Sequence, residues 1–185
     1  MGLFSKLFSN NRSAGSKRDF SYIIDIAALI TNNDAEIISI LRKCVDDPLG
    51  YGRENSERYA ERGIDISDET DINEICWIGM VNELAENGYL FTADFSEESD
   101  VVLWGLSQLK NYSLIEKCIN DNVLDEREYD DVEDLARDIS NNSDTVCICM
   151  IDIDSDSYEL IITSRNTYNK ISDIAENNGH SIKSF

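Results

Sequence analysis

The sequence holds one proline, Pro48, and one histidine, His180. So little proline argues against long Pro-rich linkers or low-complexity stretches. A single histidine means that any Ser-His-Asp or Cys-His nucleophilic site must be built on His180. That residue follows Gly179 with no marked catalytic neighbour, so it is read as a surface histidine. A zinc centre is equally short of ligands, because no C-x-x-C pair accompanies it. The five cysteines, Cys44, Cys76, Cys118, Cys147 and Cys149, are odd in number, and four stand in apolar-patterned segments. They read as buried free thiols of a reducing compartment, which places the protein in the cytoplasm. No apolar run reaches the roughly 20 residues of a membrane-spanning helix. "GYGREN" has two glycines but not the lysine of a phosphate loop. No motif calls for a cofactor, and none is expected.

Basic residues are scarce too: Lys+Arg is 16 against 37 Asp+Glu, a net charge of −21. Residues 1–18 hold Lys6, Arg12, Lys17 and Arg18 and no acid, so the rest of the chain carries −25. Such a body repels nucleic acid and anionic membrane and attracts basic proteins. The same charge also serves plain solubility. In "MGLFSKLFSNN", Leu3, Phe4, Leu7 and Phe8 share one helical side, but the run is too short for a signal peptide. Lys6 stands where a myristoylation signal needs Ser or Thr. Residues 1–18 are read as a flexible basic tail that touches a membrane weakly, packs on the acidic body or does neither. Residues 19–185 are read as one acidic domain, with a helical part over 19–66 and a core over 67–185.

Along that domain, Phe20, Ile23, Ile24, Ala27 and Ile30 have helical spacing, and Asn33 with Glu36 forms a capping-box pattern before a second helix. "LGYGRENSERYAERGIDIS" is polar and glycine-rich, and reads as a long mobile loop with a short helix near Ser56–Arg62. Ile72, Ile75, Cys76, Met80 and Leu84 mark a strong helix, stopped at Asn87-Gly88. "YLFTADF" is a strand. Asp94 and Glu97 then cap a helix with Val102, Leu103, Leu106 and Leu109 inward. "YSLIEKCIND" fits helix or strand, and "EYDDVEDLARDIS" is an acidic helix with a thin apolar side. Trp77 and Trp104 lie on helices and read as core, with interface anchors as the alternative. "DTVCICMIDID" is apolar on both faces, so it belongs centrally in a sheet. "SYELIITSR" returns beside it, and a helix, Gly179 and an edge strand "HSIKSF" close the chain. The class is α+β: a mixed, largely antiparallel sheet of about four to five strands packed with helices, ending in a hairpin–helix–strand unit.

The hairpin raises the main chemical question. Asp152, Asp154 and Asp156 alternate as in calcium loops. In an EF-hand register from Asp152, however, Ser157 replaces the glycine at the sixth position and Thr163 the glutamate at the twelfth. A turn explains the pattern better, since Asp and Ser bond nearby backbone N–H groups. Asp152 and Asp154 are placed on one strand face, opposite Ile151 and Ile153. With 37 acids, chance carboxylate pairs carry no information about glycoside chemistry.

"VNELAENGYLFTADF", "VVLWGLSQL" and "IDIDSDSYELII" together resemble an uncharacterised bacterial family of domains of unknown function, over roughly the last two-thirds of the chain. The resemblance implies a small cytoplasmic bacterial accessory protein and carries over no catalytic residue. By analogy of type, such small acidic α+β proteins are similar to immunity proteins.

The reading is therefore a binding protein, not an enzyme. Its partner is a basic protein, met on Asp152, Asp154, Asp156 and Tyr158 of the hairpin and on Asp130, Asp131, Glu133 and Asp134 of the acidic helix. The alternative is a hydrolase or metal-dependent enzyme using clustered carboxylates.

Overall fold

The computed structural model describes residues 19–120 and 131–185. The basic tail 1–18, Asp130 and the first part of the acidic segment lie outside the described residues.

The chain opens with four helices: α1 (Ser21–Thr31), α2 (Ala35–Asp46), α3 (Pro48–Glu54) and α4 (Ser56–Ala60). Helix α5 (Ile72–Glu86) leads into strand β1 (Leu90–Asp94). Helix α6 (Ser99–Ser107), a 3-10 turn (Tyr112–Leu114), α7 (Glu116–Asn120) and α8 (Val132–Asn141) follow. The hairpin β2 (Val146–Asp152) and β3 (Ser157–Ser164), helix α9 (Arg165–Asn177) and β4 (Ser181–Ser184) complete the chain. The architecture is α+β, with the four strands in the order β1-β3-β2-β4, every neighbour antiparallel.

Residue alternation divides the sheet between two cores. Cys147, Cys149, Ile151, Ile161 and Ile182 face α1, α2, α5 and α9. Val146, Ile148, Leu160, Ile162 and Ala93 face α6, α7 and α8. A strand covered on both sides has to be apolar on both, as β2 is. Helix α5 is buried on every side from Ile75 to Leu84, so its role is that of a central pillar rather than a one-sided stripe. Ile72, at its outer end, is exposed.

Several local expectations are corrected. The short helix expected near Ser56–Arg62 is α4, but the stretch before it is helical too, and only 61–67 is loop: Asp47 caps the N–H of Gly50 at 3.1 Å, Pro48 takes the first turn of α3, and Tyr51 and Tyr59 are buried. Asp34, not Asn33, caps α2, accepting from Glu36 N at 3.1 Å, while Asn33 takes a left-handed φ of 62°. Asp94 and Glu97 do not cap α6, which starts after Glu98 without a side-chain cap. "YSLIEKCIN" is helical. Trp77 is core, whereas Trp104 is 63% exposed. Four cysteines are buried and free, and Cys118 is half-buried. Cys147 and Cys149 share a strand face, with sulfurs 3.5 Å apart.

Candidate acidic groove at the hairpin mouth

The alternating aspartates make a turn. Asp152 Oδ1 accepts the backbone N–H of Asp154 at 3.1 Å, and Asp154 sits at a φ of 57°. Aspartate tolerates the left-handed region better than most residues. Strand β2 ends at Asp152, so Asp154 belongs to the turn. Ser155 Oγ accepts from Ser157 N at 3.3 Å and closes the loop.

Two anchors fix the mouth. Trp77 Nε1 donates to the carbonyl of Asp152 at 2.9 Å, tying the loop to α5. Lys183 Nζ donates to Asp152 Oδ2 at 2.7 Å, tying it to β4. The lysine and then the Asp154 N–H hold the Asp152 carboxyl below its ordinary range. Among the described residues, no group of three or more His, Cys, Asp or Glu is arranged to hold a metal ion.

On the α8 side of the sheet, the mouth opens into a groove of about 530 Å³. Phe95, Met150 and Tyr158 form its apolar part, and Asp152, Asp156 and Lys183 its charged part. Phe95 is 63% exposed, whereas most large apolar side chains among the described residues are hidden. Tyr158 is half-buried and donates to Glu133 Oε1 at 3.1 Å, which links α8 to the hairpin. Burial and that glutamate raise the phenol's pKa.

The groove thus gathers Asp152, Asp156 and Tyr158, with Glu133 behind them. Asp154 does not line this groove; together with Asp152, Trp77 and His180 it lines a second cleft. Asp131 is the N-cap of α8, accepting from Asp134 N at 2.8 Å. Asp134 pairs with Arg137 at 2.5 Å.

His180 is not a surface histidine. Its ring stacks on Trp77 at 4.0 Å and 8°. Its Nε2 lies 2.9 Å from Asn73 Nδ2 and 3.0 Å from the Tyr22 hydroxyl. Tyr22 in turn donates to Asn73 Oδ1 at 2.7 Å, so imidazole, amide and phenol form one network. Burial lowers the imidazole pKa, against a smaller upward pull from Asp71. Its polar partners through Nε2 are an amide and a phenol.

A layer of buried charge lies beneath the mouth. Glu159, on β3, has no exposed surface and accepts from Arg62 Nη1 at 2.6 Å, Thr92 Oγ1 at 2.7 Å and Ser157 Oγ at 3.1 Å. Glu83, on α5, is 2% exposed and accepts from Arg58 Nη1 and the Tyr51 hydroxyl, both at 2.6 Å. Sequence reasoning missed all of these. The signal available was a lone glutamate on an apolar strand face in "SYELII", which is where buried ion pairs sit.

The fold and this mouth define an α+β domain whose sheet presents one acidic, partly apolar groove. Residues 23–185 match the family described as a domain of unknown function, DUF6630, and the chain belongs to that family. No curated protein and no solved structure matches the chain. No helix among the described residues is long and apolar enough to cross a membrane.

Proposed function

We propose that the protein is a binding protein that docks a basic protein partner on the groove at the hairpin mouth. The observation that carries this reading is Phe95, 63% exposed in a groove that Met150, Tyr158, Asp152 and Asp156 also line. An exposed aromatic set among charges has the make-up of an interface anchor: the ring gains by burial, and the charges orient the partner. The partner segment this favours carries a bulky apolar side chain next to Lys or Arg. Glu133, held against Tyr158, extends the negative field along α8, with Asp131 exposed beyond it. Occlusion of a basic protein's working surface, as an immunity-type protein does, is the mode such a face serves.

Selection of a random displayed peptide library on the full chain tests this. Enriched peptides should combine Lys or Arg with a large apolar residue. They should bind roughly tenfold or more weakly to Phe95→Ala and to Asp156→Lys. Enrichment of acidic peptides, or binding indifferent to both variants, overturns the reading.

A further inference from the structure

The start of α1 lies beside the hairpin mouth. The Tyr22 hydroxyl is 3.0 Å from His180 Nε2, His180 stacks on Trp77 at 4.0 Å, and Trp77 Nε1 donates to the Asp152 carbonyl at 2.9 Å. The described residues thus begin, at Asp19, a few side chains away from the groove that holds Phe95. A cleft of about 540 Å³ runs from His180 to Asp152, and Asp71, Glu74 and Asp154 line it too. It shares Asp152 with the groove. Of the charged side chains in the groove itself, Asp152 and Lys183 pair with each other at 2.7 Å. That leaves Asp156, which is exposed, as the groove's net charge.

The segment before Asp19 matches this route in chemistry. Residues 1–18 hold Lys6, Arg12, Lys17 and Arg18 and no acid. Leu3, Phe4, Leu7 and Phe8 recur at helical spacing, with Lys6 among them. Bulky apolar side chains next to a lysine are what the groove favours, since Phe95, Met150 and Tyr158 offer apolar surface and Asp156 a negative charge. Phe8 lies eleven residues before Asp19, and that length of chain reaches at most about 40 Å. Crossing from one side of a sheet to the other takes only about 10 Å. Arg12, Lys17 and Arg18 fall on the part of the segment that passes the acidic cleft. Attachment also raises the segment's effective concentration to the order of millimolar. A segment with a Kd of about 0.1 mM would then fill the groove about nine times in ten.

We propose that the chain's own residues 3–8 dock in the Phe95 groove and act there as an internal competitor of the basic partner. The competition rests on the reading of this groove as a partner site; the docking does not.

Replacing Phe8 by the photo-crosslinker p-benzoylphenylalanine in the full chain tests the docking. Irradiation should join it to peptides containing Phe95, Met150 or Tyr158 of the same chain, with a yield independent of protein concentration. Phe95→Ala and Asp156→Lys, both at exposed positions, should each cut that yield roughly threefold or more while circular dichroism stays unchanged. Adducts mainly elsewhere on the body, adducts between two chains whose yield rises with concentration, or a yield unchanged in both variants overturns the proposal. Competition is read separately. Phe4→Ser with Phe8→Ser in the full chain should tighten the binding of a library-selected basic peptide about tenfold. Unchanged affinity overturns the competition. Groove adducts with no peptide selected from the library uphold the docking and overturn the partner reading alone.

Discussion

Glu159 sits on a central strand with no exposed surface, and its stability rests on its donors. Arg62→Met would leave the carboxylate with two hydroxyls and no counter-charge. Breaking a buried pair from one side costs about 3–5 kcal/mol, so urea unfolding of this variant should show a loss of that order. Arg62→Met with Glu159→Leu should recover most of it, since the loss is mainly an uncompensated charge. His180 gives a second residue-scale expectation. Burial holds its folded pKa below the ordinary 6.5, so between the two values the unfolded chain binds more protons. Stability therefore falls as pH drops through 6.5 and levels off below the folded pKa, with a slope of at most about 1.4 kcal/mol per pH unit. His180→Phe keeps a ring on Trp77 and should remove this part of the slope in melting curves between about pH 7 and pH 5. Neither role was fully legible. A lone glutamate on an apolar strand announces a buried partner, but nothing local singles out Arg62 from the 16 basic residues. His180 looked solitary because Trp77, Tyr22 and Asn73 reach it only through tertiary packing.

At the scale of elements, α6 lies against β1 because Gly105 has no side chain. A Cβ there would meet the Phe91 ring at 2.3 Å. Gly105→Ala gains about 1 kcal/mol of helix propensity, yet the clash should cost about 1–3 kcal/mol through overpacking. The expected result is a lower melting temperature, restored when Phe91→Leu makes room. Helix α8 gives an opposite lesson about charge. Its acids look like a solvated face suited to wholesale reversal, but Asp131 is the cap of the helix. Asp131→Lys should cost about 1 kcal/mol from the lost cap alone, measurable by urea titration. Elements with strong periodicity or sharp stops were readable: α5 with Gly88 at a φ of 71°, the β2–β3 hairpin, and α9 before Gly179 at 82°. The short helix read near Ser56–Arg62 is α4, but α3 was not readable, because it is short and two glycines dilute the pattern. The Asp47-Pro48 start was the one cue present.

For the whole molecule, a net charge of −21 should govern how fast a basic partner arrives. With a Debye length of about 10 Å at 0.1 M salt, the on-rate of a selected basic peptide should fall steeply between about 0.05 and about 0.5 M NaCl. Its off-rate should change little, because salt screens approach more than close packing. An on-rate insensitive to salt would mean that charge does not steer the encounter. The two tryptophans also differ in a way that makes the molecule its own optical instrument. Trp77 lies in the core with its indole face on the imidazole of His180, while Trp104 faces solvent on α6. An excited indole passes an electron to a protonated imidazole far more readily than to a neutral one. The blue-shifted emission of Trp77 should therefore dim as His180 gains its proton, with no label attached. Trp104 should emit at longer wavelength and be quenched by iodide or acrylamide added to the solvent. A partner that spreads from the groove over α6 would shield it, so one cuvette would report protonation in the core and coverage of the surface at separate wavelengths.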